Sequence, residues 1–343
     1  MKLFSLFKQE LAIDLGTANT LIIQDGQVVV DEPSIVAINR KTGETIAVGR
    51  KAMQMHEKTH EDIKTIRPLK DGVIADFQAA ESMIEGFINM IGRRQRLFSH
   101  LKMVICIPSG ITEVEKRAVF DSADHVDSKE TYLIHEPMAA ALGIGLDVEE
   151  PVGNMIIDIG GGTTEIAVIA LAGIVADQSI RIAGDELNTD IVSYMKRQHN
   201  ILIGERTAEQ IKIHVGSALH ELENAPDEYA VNGRDLMTGI PKQIKVNYSE
   251  IAHCLDKSIS KIEDAVLKAL ETTPPELASD IYRTGLYLTG GGALLRGLDK
   301  RISQKTKLPV HIAEDPLRAV VRGTGIALKN THRFSFLIDR KSV

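Results

Sequence analysis

Short apolar runs alternate along the chain with longer segments in which apolar residues recur every three or four positions. The short runs, bounded by Gly, Pro, Asn and Asp, predict strands, and the longer segments predict amphipathic helices. The predicted strands are 11–15, 20–24, 28–31, 35–39, 101–107, 155–159, 165–171, 174–182, 282–288 and 308–313. The predicted helices are 79–91, 187–198, 208–219, 249–270, 293–305 and 317–328. This alternation predicts an α/β fold.

Local signals support several of these elements. Asp76 precedes the helix 79–91 and is expected to cap it. Thr112 and Glu115 have the spacing of a capping box, which predicts a further helix. The run 101–107 is almost continuously apolar and is stopped by a proline. It therefore predicts a strand buried on both faces, in a sheet that is covered by helices.

The chain contains one internal repeat. A strand that ends in Ile-Asp-hydrophobic-Gly and turns into a second strand occurs at 13–16 and again at 157–160, almost half the chain apart. Each copy alone is weak evidence, since two β-turns can resemble one another by chance. Two copies at the start of two similar half-chains indicate a duplicated domain with a cleft between the halves.

The glycines of the two turns suit them to bind an anion. Glycine has no Cβ, so it can adopt a positive φ and lets backbone N–H groups approach a phosphate closely. Two such hairpins facing each other across a cleft could hold a polyphosphate from both sides. Asp14 and Asp158 would supply oxygen ligands for Mg²⁺, partly through water, since this ion keeps several waters. A P-loop is excluded, because no G-x-x-x-x-G-K-[ST] sequence occurs.

Composition narrows the functional classes. The 343 residues fit two domains of ordinary size, and the formal net charge of −7 disfavours nucleic acid as a partner. Cys106 and Cys254 are expected to be buried free thiols in a reducing cytosol, with a regulatory disulfide as the alternative. The longest apolar run, 166–176, is too short to span a membrane as a helix, and residues 1–11 lack the pattern of a signal peptide.

Three motifs, in this order, resemble a known superfamily. Residues 13–20 (IDLGTANT), 158–165 (DIGGGTTE) and 288–293 (LTGGGA) are similar to the first phosphate loop, the second phosphate loop and the adenosine loop of the actin, sugar-kinase and chaperone-ATPase superfamily. Within that superfamily, residues 135–143 (HEPMAAALG) and 182–187 (IAGDEL) resemble the MreB family of bacterial cell-shape proteins. The resemblance covers most of the chain.

This resemblance implies an actin-like fold made of two duplicated ribonuclease-H-type domains. They would form two lobes with four subdomains and a nucleotide cleft between the lobes. Lobe I would comprise residues 1–145 and 316–343, with a small subdomain at about 33–69. Lobe II would comprise residues 146–315, with a small subdomain at about 181–246.

The resemblance also implies ATP and Mg²⁺ as cofactors and assigns residues to the nucleotide. The phosphates would be held by Gly16, Thr17, Ala18, Asn19, Gly160, Gly161, Gly162 and Thr163. The nucleoside would contact Gly184, Glu209, Lys212, Gly290, Gly291, Gly292 and Ala293. Without the resemblance, the residues at 209 and 212 would be an exposed ion pair one helical turn apart. A glycine triplet before a helix would likewise more often be only a tight turn.

Glu136 has two interpretations. The preceding His135 begins an H-E-x-x-H sequence, but position 139 is alanine, so this zinc motif is absent. An acid before Pro137 can simply favour the start of a helix through the helix dipole. The resemblance instead assigns Glu136 to orienting the attacking water, in a catalytic site with Asp14 and Asp158. Phosphoryl transfer depends mainly on such positioning and on charge stabilisation.

By resemblance, the chain is expected to be a slow ATPase that hydrolyses ATP to ADP and phosphate in step with polymerisation. Its partners would be further copies of itself in filaments, the inner face of the cytoplasmic membrane, and membrane proteins of the cell-elongation machinery. The filaments would organise cell-wall synthesis and rod shape.

Three other functions remain as alternatives. The first is a non-polymerising actin-fold ATPase adaptor. The second is a small-molecule kinase, which would need a sugar pocket, and the third is a chaperone ATPase, which would need a substrate-binding domain.

A membrane contact is predicted at Leu97 and Phe98, the apolar tip of a polar turn with arginines at positions 93, 94 and 96. Basic residues near an anionic surface favour binding, and apolar side chains that enter the membrane add to it. On burial preference alone, the pair would more often fold back onto the core. The basic and apolar segment 1–8 offers a second contact, or could be the lead-in to the first strand.

Overall fold

The computed structural model describes residues 8–91, 100–335 and 337–340. The elements of the first part are β1 (Lys8–Leu15), β2 (Asn19–Gln24), β3 (Gln27–Pro33), β4 (Val36–Asn39), β5 (Thr45–Val48), α1 (Arg50–Met55), β6 (Ile63–Ile66), β7 (Leu69–Lys70), β8 (Val73–Ile74), α2 (Phe77–Ile91), β9 (His100–Ile107), α3 (Glu113–His125), β10 (Ser128–His135) and α4 (Glu136–Gly143). The elements that follow are β11 (Asn154–Ile159), β12 (Thr164–Ala170), β13 (Gly173–Ile180), α5 (Gly184–Gln198), β14 (Ile201–Leu202), α6 (Glu205–Val215), β15 (Tyr229–Asp235), β16 (Pro241–Val246), α7 (Tyr248–Glu271), α8 (Pro275–Thr284), β17 (Leu286–Thr289), α9 (Leu298–Thr306), β18 (Val310–Ile312), α10 (Ala319–Lys329) and β19 (Ile338–Arg340). Short 3₁₀ helices cover Gly291–Leu294 and Pro316–Arg318.

Six strands form the first large sheet, in the order β19-β10-β9-β1-β2-β3. Strands β1, β9 and β10 are parallel neighbours, whereas β2 and β3 continue antiparallel from β1. Strand β9 is buried along almost its whole length, which confirms the prediction for the apolar run 101–107. Such a strand belongs in the middle of a sheet with helices on both faces.

Five strands form the second large sheet, in the order β13-β12-β11-β17-β18. This sheet repeats the arrangement of the first. Strand β11 forms an antiparallel hairpin with β12, as β1 does with β2, and β17 lies parallel to β11, as β9 lies parallel to β1. The duplication that the two Ile-Asp-hydrophobic-Gly segments predicted is therefore present in the topology of the two sheets.

Helices α4 and α10 pack against each other between the two sheets. Helix α4 follows a strand of the first sheet but packs on β11 and β12 of the second, whereas α10 packs on β1, β2 and β9 of the first. The helices cross at small residues: a Cβ on Gly143 would overlap the carbonyl oxygen of Ala319, and one on Gly323 would overlap that of Ala139. Apolar side chains of both sheets and both helices form one buried cluster in this middle layer.

Further helices cover the outer faces. Helices α2 and α3 pack on the first sheet, and α7, α8 and α9 pack on the second. Two three-stranded sheets lie beside this core: β5-β4-β6, which packs with α1, and β14-β15-β16, which lies next to α5 and α6. The two large sheets are thus the second and fourth of five layers, and helices form the others.

The predicted helix caps are confirmed. The Thr112 hydroxyl accepts a hydrogen bond from the N–H of Glu115, and the Glu115 carboxylate accepts one from the N–H of Thr112. Asp76 accepts a hydrogen bond from the N–H of Ala79 at 3.0 Å. These caps satisfy N–H groups that the first turns of α3 and α2 leave without a helical partner.

Two predicted helices differ from the structure because glycines interrupt them. The helix predicted over 293–305 is divided into a 3₁₀ turn and α9 by Gly297, whose φ is +75°. The helix predicted over 208–219 ends at residue 215, since Gly216 has an extended conformation. The apolar spacing continues across both glycines and therefore did not indicate either interruption.

The strand predicted over 282–288 begins only at Leu286, because the residues before it complete α8. Helix α8 itself was not predicted. Strand β10 was also missed, since its first half is polar and its fully buried residues lie near its end. Cys106 is a buried free thiol, as expected, whereas Cys254 is free but only half-buried.

Candidate functional site

The alternation of side chains along the large sheets places several polar residues on the faces that look onto the middle layer. In each sheet, one set of alternating residues packs on the outer helices, and the other set packs on α4 and α10. At the end of the sheets where β1, β9, β11 and β17 finish, polar residues take these inner positions. They are Asp14, Cys106, Asp158, Glu165 and Thr289. Both sheets therefore turn polar side chains towards one shared space.

The first glycine-containing turn follows β1 and is tightly held. The Ser34 hydroxyl donates to the carbonyl oxygen of Gly16 at 2.6 Å. A Cβ on Gly16 would lie 2.7 Å from the carbonyl oxygen of Asn19, so the turn requires glycine at this position. The Thr17 hydroxyl accepts a hydrogen bond from the N–H of Gly72 at 2.9 Å. The predicted phosphate residues 16–19 thus form one compact hairpin.

The second glycine-rich turn follows β11 and lies against the first. It is closed by the N–H of Gly160, which donates to the carbonyl oxygen of a residue three positions on at 2.9 Å. A Cβ on Gly161 would lie 2.6 Å from the Cβ of Ala18, and a Cβ on Gly162 would lie 2.6 Å from the hydroxyl oxygen of Thr17. The structure therefore brings the two predicted phosphate turns together.

The third glycine-rich segment begins directly after β17. Gly290 has a φ of +76°, and a Cβ there would lie 2.8 Å from Oδ1 of Asp158 and would overlap the carbonyl oxygen of Ile159. The 3₁₀ helix Gly291–Leu294 follows at once. The segment is a tight turn, and it also packs directly on the strand that leads into the second phosphate turn.

Glu209 and Lys212 belong to a chain of hydrogen bonds at the start of α5. Lys212 Nζ donates to Glu209 Oε2 at 2.8 Å and to the carbonyl oxygen of Gly184 at 3.0 Å. Asn188 Nδ2 donates to the same Glu209 oxygen at 2.8 Å. The N–H of Gly184 in turn donates to the carbonyl oxygen of Gly160 at 3.1 Å. Three predicted nucleoside contacts are thereby linked to the second phosphate turn.

Burial and neighbouring charges raise the pKa values of the carboxyl groups in the site. Burial raises the pKa of Asp14 to about 6 and the pKa of Asp158 to about 7. The pKa of Glu136 is raised well above its usual value, first by burial and then by the charges of Glu165, Asp158 and Asp14. Buried like charges favour protonation, and a bound cation would favour the ionised forms instead.

These acids fit the predicted magnesium ion. Asp14 and Asp158 come from equivalent positions of the two sheets, directly before the two phosphate turns. No group of three or more His, Cys, Asp or Glu side chains suited to hold a metal occurs in the part of the chain that the structure describes. Two carboxylates with water as the remaining ligands suit an ion that keeps much of its hydration shell.

Glu136 is the first residue of α4, so it begins a helix and also belongs to this group of acids. This position agrees with the first interpretation, a residue that starts a helix. It also places Glu136 among the carboxylates that the second interpretation names. The neighbouring Glu165 is fully buried. It accepts hydrogen bonds from the N–H of Ser109 at 3.1 Å and from the hydroxyl of Ser179 at 2.7 Å. Glu165 therefore joins the end of β9 to strands of the second sheet.

Comparison with known proteins gives the family. The model of the MreB/Mbl protein family matches residues 8–335. The chain belongs to the MreB/Mbl family. The cell shape-determining protein MreB of Escherichia coli (strain K12) is 47% identical over 333 residues, which cover 96% of this chain and 95% of that protein. The cell shape-determining protein Mbl of Bacillus subtilis (strain 168) is 45% identical over 326 residues, which cover 95% of this chain and 97% of that protein.

Solved structures of a relative agree with this assignment. MreB5 of Spiroplasma citri bound to AMPPNP is 40% identical and has a TM-score of 0.89, over 95% of this chain and 97% of that chain. The same protein has been solved bound to ADP, with 41% identity and a TM-score of 0.89, over 95% of this chain and 98% of that chain. The fold of this MreB/Mbl chain is therefore actin-like, which confirms the fold and family that the sequence motifs indicated.

Several polar residues of this MreB/Mbl site were missed by sequence reasoning. Cys106 and Thr289 lie on strands beside the two aspartates, Glu165 is the second residue of the strand after the second phosphate turn, and Asn188 donates a hydrogen bond to Glu209. One signal could have found Glu165: it is a polar residue on the inner face of a strand whose other residues on that face, Ala167 and Ile169, are apolar and buried.

Polar contacts also join segments near the two small sheets of this MreB/Mbl chain. Arg67 pairs with Asp185 at 3.5 Å and with Glu205 at 3.0 Å. The Glu57 carboxylate accepts a hydrogen bond from the N–H of Glu205 at 3.1 Å. These contacts join residues of the first half of the chain to residues of the second half.

The predicted membrane residues Leu97 and Phe98 lie outside the described residues, as does most of the segment 1–8. Within the described ranges of this MreB/Mbl chain, every helix is too short or too polar to cross a bilayer.

Proposed function

We propose that this chain is a Mg²⁺-dependent ATPase that assembles into filaments. The observation that carries the proposal is the meeting of three glycine-containing turns at buried carboxylates from both large sheets. Backbone N–H groups of such turns bind phosphates, and the carboxylates suit a divalent cation. MreB5 of Spiroplasma citri, which has been solved with AMPPNP and with ADP, supports the nucleotide.

In this proposal, the two facing turns bind the phosphates through residues 16–19 and 160–163. The nucleoside lies against Gly184, the ion pair of residues 209 and 212, and the turn 290–293. Asp14 and Asp158 hold Mg²⁺, partly through water, and the ion neutralises phosphate charge when it is bound. Glu136 orients the attacking water from the start of α4, where a single positioned acid can have a large effect on the rate.

We further propose that hydrolysis is coupled to filament assembly on the inner face of the cytoplasmic membrane. There the filaments would engage membrane proteins of the cell-elongation machinery and organise cell-wall synthesis and rod shape. Family membership and the name of the curated relatives, cell shape-determining protein, support this role. The two large and two small sheets support the proposed lobes, 1–145 with 316–343 and 146–315, and small subdomains at about 33–69 and 181–246.

Calorimetric titration with ATP, in Mg²⁺ and in EDTA, tests the nucleotide site. Asp14→Ala and Asp158→Ala are each expected to lose Mg²⁺-dependent binding and hydrolysis, because they remove the proposed cation ligands. Asp177→Ala, which removes an exposed carboxylate from β13 of the same sheet, should behave as the wild type. Unchanged ATP turnover in both site variants would overturn the assignment.

Electron microscopy and sedimentation of the purified protein, with and without ATP, test the filaments. Assembly that requires ATP supports the proposed function. A protein that binds and hydrolyses ATP but never pellets would instead be a non-polymerising adaptor.

A further inference from the structure

The two aspartates of the duplicated hairpins each accept a hydrogen bond from a neighbouring strand. The Thr289 hydroxyl donates to Oδ1 of Asp158 at 2.8 Å, and the Cys106 thiol donates to Oδ1 of Asp14 at 3.2 Å. In both cases the donor lies on the strand that runs parallel to the strand of the aspartate. The same arrangement therefore occurs twice.

The strand register shows that the two donors are equivalent. Asp158 of β11 is paired with Thr289 of β17. In the first sheet, Ile13 of β1 is paired with Ile105 of β9, so the next residues along these strands are Asp14 and Cys106. Paired residues of parallel strands have side chains on the same face. The internal duplication has therefore kept a side-chain donor beside each aspartate.

Neither donor is at the surface, since Thr289 is 0% exposed and Cys106 is 2% exposed. A carboxylate that is held through one oxygen keeps its orientation and leaves its other oxygen available to a water or a cation. Gly290 contributes to the same arrangement, because a Cβ at this position would lie 2.8 Å from the oxygen of Asp158 that Thr289 binds. The end of β17 thus fixes the aspartate and also begins the third glycine-rich turn.

We propose that Thr289 and Cys106 are positioning residues that orient the carboxylates of Asp158 and Asp14 towards the cation bound with the nucleotide. The inference rests on the proposed function, because it presupposes that these aspartates bind Mg²⁺. A hydroxyl is a stronger donor than a thiol. Asp158 is therefore held more firmly than Asp14, and the loss of Thr289 has the larger effect.

The test measures binding of AMPPNP, which avoids turnover, as a function of Mg²⁺ concentration and again in EDTA. Thr289→Val removes the hydroxyl at nearly constant volume and is expected to raise the half-saturating Mg²⁺ concentration roughly tenfold, within the usual range for groups that orient metal ligands. Affinity in EDTA should not change. Thr289→Ser keeps the donor and should restore the wild-type Mg²⁺ dependence.

Two further variants keep the experiment decisive. Cys106→Ala should have a smaller effect than Thr289→Val, because it removes the weaker donor, and Cys106→Ser, which supplies a hydroxyl donor, should need no more Mg²⁺ than the wild type. Thr289→Cys places a thiol donor beside Asp158, as occurs beside Asp14, and should give an intermediate Mg²⁺ dependence. Thr289→Cys also carries the test if the valine variant fails to fold.

The matched control is Thr324→Val. Thr324 is also fully buried, but its hydroxyl donates to a helical carbonyl oxygen, that of Val320, at 2.8 Å. This variant should have a lower melting temperature and an unchanged Mg²⁺ dependence of AMPPNP binding.

The inference is overturned if Thr289→Val and Thr289→Cys show the Mg²⁺ dependence of the wild type. It is also overturned if these variants lose as much AMPPNP affinity in EDTA as they lose in Mg²⁺. A wild-type protein whose AMPPNP binding ignores Mg²⁺ would overturn the proposed function itself.

Discussion

Asp14, Glu136 and Asp158 lie in the layer between the two large sheets, where burial favours their protonated forms. Asp158 is only 4% exposed, and its pKa is raised to about 7. Ionised carboxylates in such surroundings lower the free energy of unfolding unless a cation or a donor compensates. The site therefore reduces the stability of the nucleotide-free protein, and a bound cation would restore it.

Asp158→Asn is expected to stabilise the nucleotide-free protein at pH 8 while it removes Mg²⁺-dependent ATP binding. The pKa of Asp158 is about 7 in the folded protein, compared with 3.8 for an ordinary aspartate. The contribution of this group to the free energy of unfolding is therefore fully present below pH 3.8 and is lost as the pH rises towards 7. Asparagine does not ionise, so the variant keeps this contribution at every pH. Its free energy of unfolding should exceed that of the wild type by on the order of 2–4 kcal/mol at pH 8, and the difference should shrink towards pH 4. Urea unfolding in EDTA at several pH values measures it. An equal gain at every pH would contradict the electrostatic explanation.

Glu136→Ala is expected to keep the affinity for ATP and to lose roughly 100-fold in the rate of hydrolysis. A group that orients the attacking water acts mainly in the transition state, so its removal affects the rate and not the binding. Equilibrium binding and single-turnover hydrolysis separate the two effects. If affinity collapses while the rate per bound ATP survives, the role of Glu136 is to start α4. Filaments of this variant should also persist longer, if hydrolysis drives their disassembly.

The residues of the site that the sequence predicted are those whose chemistry is visible in a short motif. At 14–16 and 158–160 a strand, an acid and a flexible turn are adjacent in sequence, so their combination could be interpreted directly. Thr289 and Cys106 could not be found in this way, since their partners lie 131 and 92 positions away in the chain. Their role depends on which strands pair and in which register, and a local pattern does not contain that information.

Among the elements, α4 and α10 pack directly against each other between the two large sheets. Helix α4 packs on the second sheet, and α10 packs on the first. Gly143 and Gly323 lie where each helix meets the backbone of the other. Because α4 begins at Glu136, the crossing also fixes the position of this acid relative to the phosphate turns.

Gly323→Ala is expected to destabilise the protein by roughly 1–3 kcal/mol, because the added Cβ would overlap the carbonyl oxygen of Ala139 and force the helices apart. Gly325→Ala is the matched control in the same helix. Its Cβ would lie 3.6 Å from the nearest atom of Ile23, an ordinary contact, so the loss of a helical glycine should stabilise by up to about 1 kcal/mol. Urea unfolding compares the two variants. Equal stabilities would show that the crossing is not tightly packed.

Long and regular elements were predicted best. The helix predicted over 249–270 is observed as α7, Tyr248–Glu271, because apolar residues recur along its whole length on one face. The helix predicted over 293–305 was wrong at Gly297, since a positive φ leaves no trace in the apolar spacing. Residue propensity and apolar periodicity thus predict the interior of a helix or strand better than they predict the residue at which the backbone turns.

In the whole molecule, the two halves are joined by two sets of contacts. Helices α4 and α10 form a buried apolar layer between the large sheets. Arg67 pairs with Asp185 and Glu205 at a partly exposed position, so these ion pairs are the weaker connection.

Under the proposed function, membrane contact would belong to the filament rather than to one copy of the chain. A basic residue near an anionic surface contributes about 1 kcal/mol, so the arginines beside Leu97 and Phe98 would give one copy only weak binding. The segment 1–8 would add a second contact of the same kind. A filament presents many copies at once, and the contacts then act together through their high effective concentration.

Co-sedimentation with anionic liposomes is accordingly expected to depend on polymerisation. A variant with Leu97→Ser and Phe98→Ser that also lacks residues 1–8 should lose liposome binding and keep ATP binding, because the changes remove only the proposed membrane contacts. The control, Val114→Ser with Tyr282→Ser, removes two side chains that are 81% and 71% exposed elsewhere on the surface and should still bind. Lipid-free pelleting with ATP establishes that each variant still assembles. If the first variant pellets with liposomes as the wild type does, another face of the filament contacts the membrane.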